Sequence, residues 1–96
     1  MTPQEITELM TAKGEIVPTS QLKTGDIIRN NGCLMEIGTI NSRHAAYGTV
    51  YWTAAKVWHR ATETIPQGWF DRAPDGSRTW QVQGNDRASW LRVKAA

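Results

Sequence analysis

The sharpest patterning of apolar and polar positions lies between residues 21 and 40. A polar stretch ending in Gly25-Asp26 leads into Ile27-Ile28-Arg29, an Asn31-Gly32 turn follows, and Cys33, Met35 and Ile37 then alternate with Leu34 and Glu36. Strand, Asn-Gly turn and strand predict a β-hairpin, because Asn and Gly tolerate the positive φ that tight hairpin turns require. Cys33, Met35 and Ile37 share one face, so Cys33 reads as a small buried hydrophobe, while Glu36 falls on the face that reads as solvated. After Gly38 the apolar residue Ile40 sits on the opposite parity, and Gly at such a break predicts a bulge or bend that curls the sheet.

Upstream, Thr2-Pro3-Gln4-Glu5 has the form of a capping box with Pro at the first helical position. Ile6, Leu9 and Met10 follow at the spacing of one helical face, and Gly14 is placed to stop the run. The spacing predicts a short amphipathic helix over 3–12 that packs on the β body. Val17-Pro18-Thr19-Ser20 is an extended entry, since Pro18 restricts the residue before it.

Residues 41–44, Asn-Ser-Arg-His, read as a polar loop tip before a β-rich run over 47–52. Residues 53–61 fit two templates. Ala54, Val57, Trp58 and Ala61 share a helical face, whereas Tyr51, Thr53, Ala55 and Val57 share a strand face. Strand is favoured, because β-forming residues precede it without a Gly or Pro boundary. The Pro/Gly-rich stretch over 65–77 predicts an irregular excursion with a turn at Pro74-Asp75-Gly76, pinned to the core by Trp69 and Phe70. A closing hairpin is expected from strands over 79–83 and 88–93, with Trp80 and Val82 on its buried face.

The reading is therefore mainly β: a small SH3-like antiparallel barrel or curled sheet with one short N-terminal helix. The chain of 96 residues forms a single domain, residues 1–14 carrying the helix and 15–96 the barrel-like body. All five tryptophans fall in the second half, where they either fill a small core or, in one or two cases, form a binding platform. A formal net charge of +2 selects no partner. The single cysteine, Cys33, rules out an intramolecular disulfide scaffold. No apolar run is long enough to span a bilayer as a helix and the N-terminus lacks signal-peptide character, which gives a cytoplasmic location by default.

Leu22-Lys23-x-Gly25-Asp26-Ile27-Ile28, followed by Gly32 and a strand ending near Ile37, resembles the first barrel of elongation factor P and related KOW-type SH3-like domains. The resemblance implies a barrel fold. That family's functional lysine loop falls here on residues 41–44, which hold neither lysine nor flanking glycines, so a translation-factor role is not carried over. Trp80-x-Val82-x-Gly84-Asn85-Asp86-x-Ala88-x-Trp90 resembles the closing motif of small uncharacterised proteins of actinobacterial phages, which implies a phage or prophage accessory protein with a binding role.

Catalytic chemistry finds no local signature. Cys33, His44 and His59 do not fall at paired metal-ligand spacings, no nucleophile elbow surrounds Ser42 or Cys33, and Gly25 and Gly32 are isolated turn glycines. Asp26 reads as a turn-capping carboxylate, as does Asp86. The expectation is a non-enzymatic interaction module without cofactor or metal, its partner a protein. Nucleic acid is the alternative, with Arg43, His44, Lys56 and Arg60 on phosphates and Tyr47 or Trp58 stacking on bases; self-assembly is a third reading. Arg43, His44 and Tyr47 form the leading candidate surface, followed by Trp58, Trp69 and Phe70.

Overall fold

The computed structural model describes residues 1–60 and 70–94. Thr2 starts helix α1 (Pro3–Thr11) through the reciprocal bonds of a capping box: its hydroxyl accepts from the Glu5 N–H at 3.1 Å, and its own N–H donates to the Glu5 carboxylate at 3.2 Å. Those bonds hold the Glu5 carboxyl below the usual range. The helix ends at Ala12, before Gly14, which instead opens the first strand. A Cβ at Gly14 would lie 2.6 Å from the Arg92 carbonyl oxygen, so the close approach of two strands requires glycine there.

The strands are β1 (Gly14–Pro18), β2 (Ile27–Asn30), β3 (Cys33–Glu36), β4 (Asn41–Ala45), β5 (Gly48–His59), β6 (Asp71–Arg72), β7 (Arg78–Gly84) and β8 (Ser89–Val93). They form one antiparallel sheet in the order β1-β8-β2-β3-β5-β7-β6, with β4 paired to β5 beside that path. The β2–β3 hairpin turns at Asn31 (φ 50°) and Gly32 (φ 74°), the backbone predicted for that dipeptide. Residues 53–59 are strand. The extended entry ends at Pro18, after which Thr19–Gln21 form a single 3₁₀ turn.

The sheet is curled and open, not closed into a barrel: its outer members β1 and β6 do not pair. A short link imposes the curl. Residues 85–88 carry the chain from β7 to β8, although β2, β3 and β5 stand between those strands in the sheet. A flat sheet would set them about 19 Å apart sideways and, because four antiparallel steps leave β7 and β8 running the same way, would also make the link return along the strands, beyond its reach of about 17 Å. The Thr19 hydroxyl donates to the Asn85 carbonyl at 2.9 Å and accepts from the Trp90 indole N–H at 2.9 Å, fixing the two flanks together.

The expected closing hairpin is thus corrected: both strands form, but they do not pair with each other. β8 carries Trp90 on one face and Leu91 and Val93 on the other, so it gains more by inserting between β1 and β2, where both faces are covered. Trp80 is also corrected. It packs on the inner core beside Val82 but is only half-buried, its ring meeting Phe70 edge-on at 5.7 Å.

Inside the curl lie Val17, Ile28, Cys33, Met35, Ile37, Ala55, Val57 and Val82. The outer face of β2, β3 and β8 is covered by α1, where Leu9 meets Leu34 and Val93. The face holding Leu34 and Glu36 is therefore not solvated. Helix and sheet are joined electrostatically as well: Arg29, on the outer face of β2, donates from one guanidinium nitrogen to the carbonyls of Leu9, Met10 and Ala12 at 2.9, 2.8 and 3.0 Å. The cation meets the negative end of the helix dipole and satisfies carbonyls that lack helical partners. Arg29→Met is expected to cost about 2–3 kcal/mol in urea unfolding, by the scale of charged hydrogen bonds, and to accelerate amide exchange in α1 before the sheet.

Candidate functional site

β4 and β5 continue as a two-stranded arm. Residues 43–45 pair with 48–50, and β7 ends at Gly84 opposite Tyr51, so the outer part of the arm has no β7 neighbour. The arm turns at Ala46-Tyr47 and closes with Gly48 at φ 109°, a conformation that favours glycine. Gly38 lets it leave β3: a Cβ there would lie 2.7 Å from the Ala54 carbonyl oxygen.

This geometry revises the position of the leading candidates. Residues 41–44 are not a loop tip but edge strand β4, because each finds a cross-strand partner in β5. Arg43 lies opposite Val50; His44 lies opposite Thr49, with Nδ1 and the Thr49 hydroxyl 3.2 Å apart. The tip is Tyr47, 90% exposed. Asn41, Ser42, Arg43 and His44 are all exposed, so β4 offers both its faces and its outer edge. On the β5 side, a hollow of about 330 Å³ separates Tyr47, Gly48 and Thr49 from Asn85, Asp86 and Arg87. Local spacing marks that loop only as a turn and does not reveal that the curl brings it beside Tyr47. Nor does Asp86 cap its own turn as expected, since Asn85 accepts from the Arg87 N–H at 2.9 Å while Asp86 accepts from Ser20.

The remaining candidates lie elsewhere. Trp58 occupies a bulge, since Leu34 pairs with His59 and Met35 with Val57. Its indole N–H donates to Glu36 at 3.0 Å and the Lys56 ammonium stands 3.9 Å from its ring centre, so the ring is engaged within the fold. Phe70 packs on Trp80, with the guanidinium carbons of Arg60 and Arg78 each 5.9 Å from its ring centre. Trp69 lies outside the described residues.

Two further hollows offer little chemistry. A cleft of about 650 Å³ between α1, β1 and the end of β8 is lined by mixed charges, including Glu5, Lys13, Glu15 and Asp26. Its Arg92 is committed to Glu15 and Asp26, and those hydrogen bonds raise its pKa. Asp26 also accepts from the Lys23 N–H at 2.8 Å, the turn-capping role expected of it. The second hollow, about 10 Å³ and walled by residues such as Leu22, Ile37 and Val82, has room for one water molecule at most. The Thr53 hydroxyl is buried at its edge without a hydrogen-bond partner among the described residues.

His44 and His59 cannot share a site. His59 lies ten residues along β5 from the partner of His44, a separation of about 33 Å by strand rise. Cys33 is fully buried on the inner face, and among the described residues no group of three or more His, Cys, Asp or Glu is placed to hold a metal ion. No described helix is long and apolar enough to cross a membrane. No protein-family model, curated protein or solved structure matches the chain.

Two measurements follow from these environments. Thr53→Val is expected to raise stability by about 1 kcal/mol, because it removes a buried hydroxyl without a partner while keeping the shape. Trp58→Ala should cost about 2 kcal/mol in denaturant unfolding, whereas Tyr47→Ala should stay within about 0.5 kcal/mol, separating the packed ring from the free one.

Proposed function

We propose that this protein is a non-enzymatic interaction module that contacts a protein partner through the β4–β5 arm. The observation that supports this most directly is the arm itself: an exposed edge strand leading to a tip tyrosine that is 90% exposed and whose ring the core does not use. Tyrosine and arginine, enriched at protein interfaces, stand together there, and the cross-strand pairing with β5 holds them on a firm support. The resemblance of the Trp80 to Trp90 motif to actinobacterial phage proteins supports a role as a phage or prophage accessory protein acting in the host cytoplasm on a host or phage protein.

Nucleic acid binding is a weaker reading of the same arm. Arg43 is the one permanent cation on β4 and the adjoining part of β5 up to Lys56, and each phosphate contact contributes only one unit of salt dependence. A dedicated nucleic-acid surface gathers several such contacts.

The test is affinity capture from host lysate by the intact protein and by an Arg43→Ala/His44→Ala/Tyr47→Ala variant, with and without nuclease. The variant should melt within a few degrees of the parent, as for exposed substitutions. Its expected capture of a nuclease-resistant protein partner falls at least about tenfold, the scale of losing one interface anchor. Unchanged capture refutes the arm as the contact surface, and capture abolished by nuclease favours nucleic acid.

A further inference from the structure

We propose that the free edge of β4 receives an extended, acidic segment of a partner protein as an added strand. The inference deepens the reading above and rests on it, because it names how the arm binds and what chemistry it selects. An edge strand presents unpaired backbone N–H and C=O groups on alternate residues, which makes it a template for another strand. Among the described residues β4 pairs only with β5, and its Asn41, Ser42, Arg43 and His44 are exposed, so the groups on its outer side face solvent.

Charge specifies the occupant. Residues 37–62 contain no Asp or Glu, whereas β4 carries Arg43, with His44 on its opposite face. Across the hollow on the β5 side of the arm, Asp86 accepts from the Ser20 N–H at 3.1 Å and stands next to the cation Arg87. β4 therefore carries the positive charge of Arg43 with no acid on its own strand or on β5, and an incoming strand gains by placing a carboxylate opposite Arg43. The same charge disfavours a second copy. Antiparallel pairing of two β4 strands in their full overlap sets Arg43 against its counterpart, a repulsive cross-strand pair. Duplex nucleic acid matches the sign but needs a broader array of cations than this edge carries.

The test is amide hydrogen exchange in β4 of the full chain, with short end-capped peptides as probes. One peptide alternates Glu with Val, and a control replaces each Glu with Lys. The Glu peptide is expected to slow exchange of outward-facing β4 amides by at least about tenfold, the protection of a newly paired strand, and the Lys peptide to leave them unchanged. Arg43→Glu should reverse that preference, which a change in folding alone cannot do. Two further Glu peptides, N-methylated on one or the other alternate set of amides, separate strand addition from diffuse charge attraction. Strand addition uses one set, so one methylated peptide should still bind and the other should not.

Protection by both methylated peptides or by neither, no protection by the Glu peptide, or equal protection by duplex DNA with the same Arg43 dependence overturns strand addition. If the peptides fail while the arm variant still loses its captured protein, the edge is not the template but the arm remains the contact surface. If capture is indifferent to the arm variant, the functional reading itself falls.

Discussion

The architecture depends on one constraint, the shortness of the link between β7 and β8. Residues 85–88 cannot cross the breadth of a flat sheet, so the sheet must bend until its flanks meet, and Thr19 supplies the hydroxyl that fastens them. Bending gives the inner apolar residues a shared interior without a second sheet. It also delivers loop 85–87 beside the arm, so the hollow next to Tyr47 is a consequence of chain economy far from it in sequence.

A bent single sheet leaves its convex side uncovered, and only half of that side is apolar. Leu34, Leu91 and Val93 receive α1, whereas the β7 side presents Gln81 and Gln83, whose amides bond each other at 2.9 Å. Arg29 fixes where the helix end sits on the sheet, because one guanidinium can serve its last carbonyls only in one docking position. β3 is in consequence buried on both faces. β5 is a different kind of element: one half belongs to the core and the other is lifted past the end of β7 to carry the arm.

Local chemistry was legible wherever neighbours in sequence are neighbours in space. The capping box at Thr2, the Asn31-Gly32 turn, the Asp26 cap and the Pro74-Asp75-Gly76 turn all depend on residues a few positions apart. The errors share a different cause. β7 and β8 look like a hairpin because they are adjacent in sequence and separated by turn residues, but β8 has apolar residues to bury on both faces and takes a place between two strands. Asn-Ser-Arg-His looks like a loop because it is polar, yet a strand exposed on both faces has no apolar parity to betray it. Arg29 offered a signal that local reading passes over: a cation on the same parity as Ile27, on the face the helix covers. The loop beside Tyr47 offered none.

Cys33 lies at 0% exposure in the middle of the sheet, walled by the inner core on one side of a strand that the helix covers on the other. A thiol so placed reacts only when β3 comes away from its neighbours, so the chain carries an internal clock of its own opening. Because the arm and α1 can loosen without uncovering that sulfur, its alkylation rate counts the rare separations of the core strands and ignores motion at the periphery.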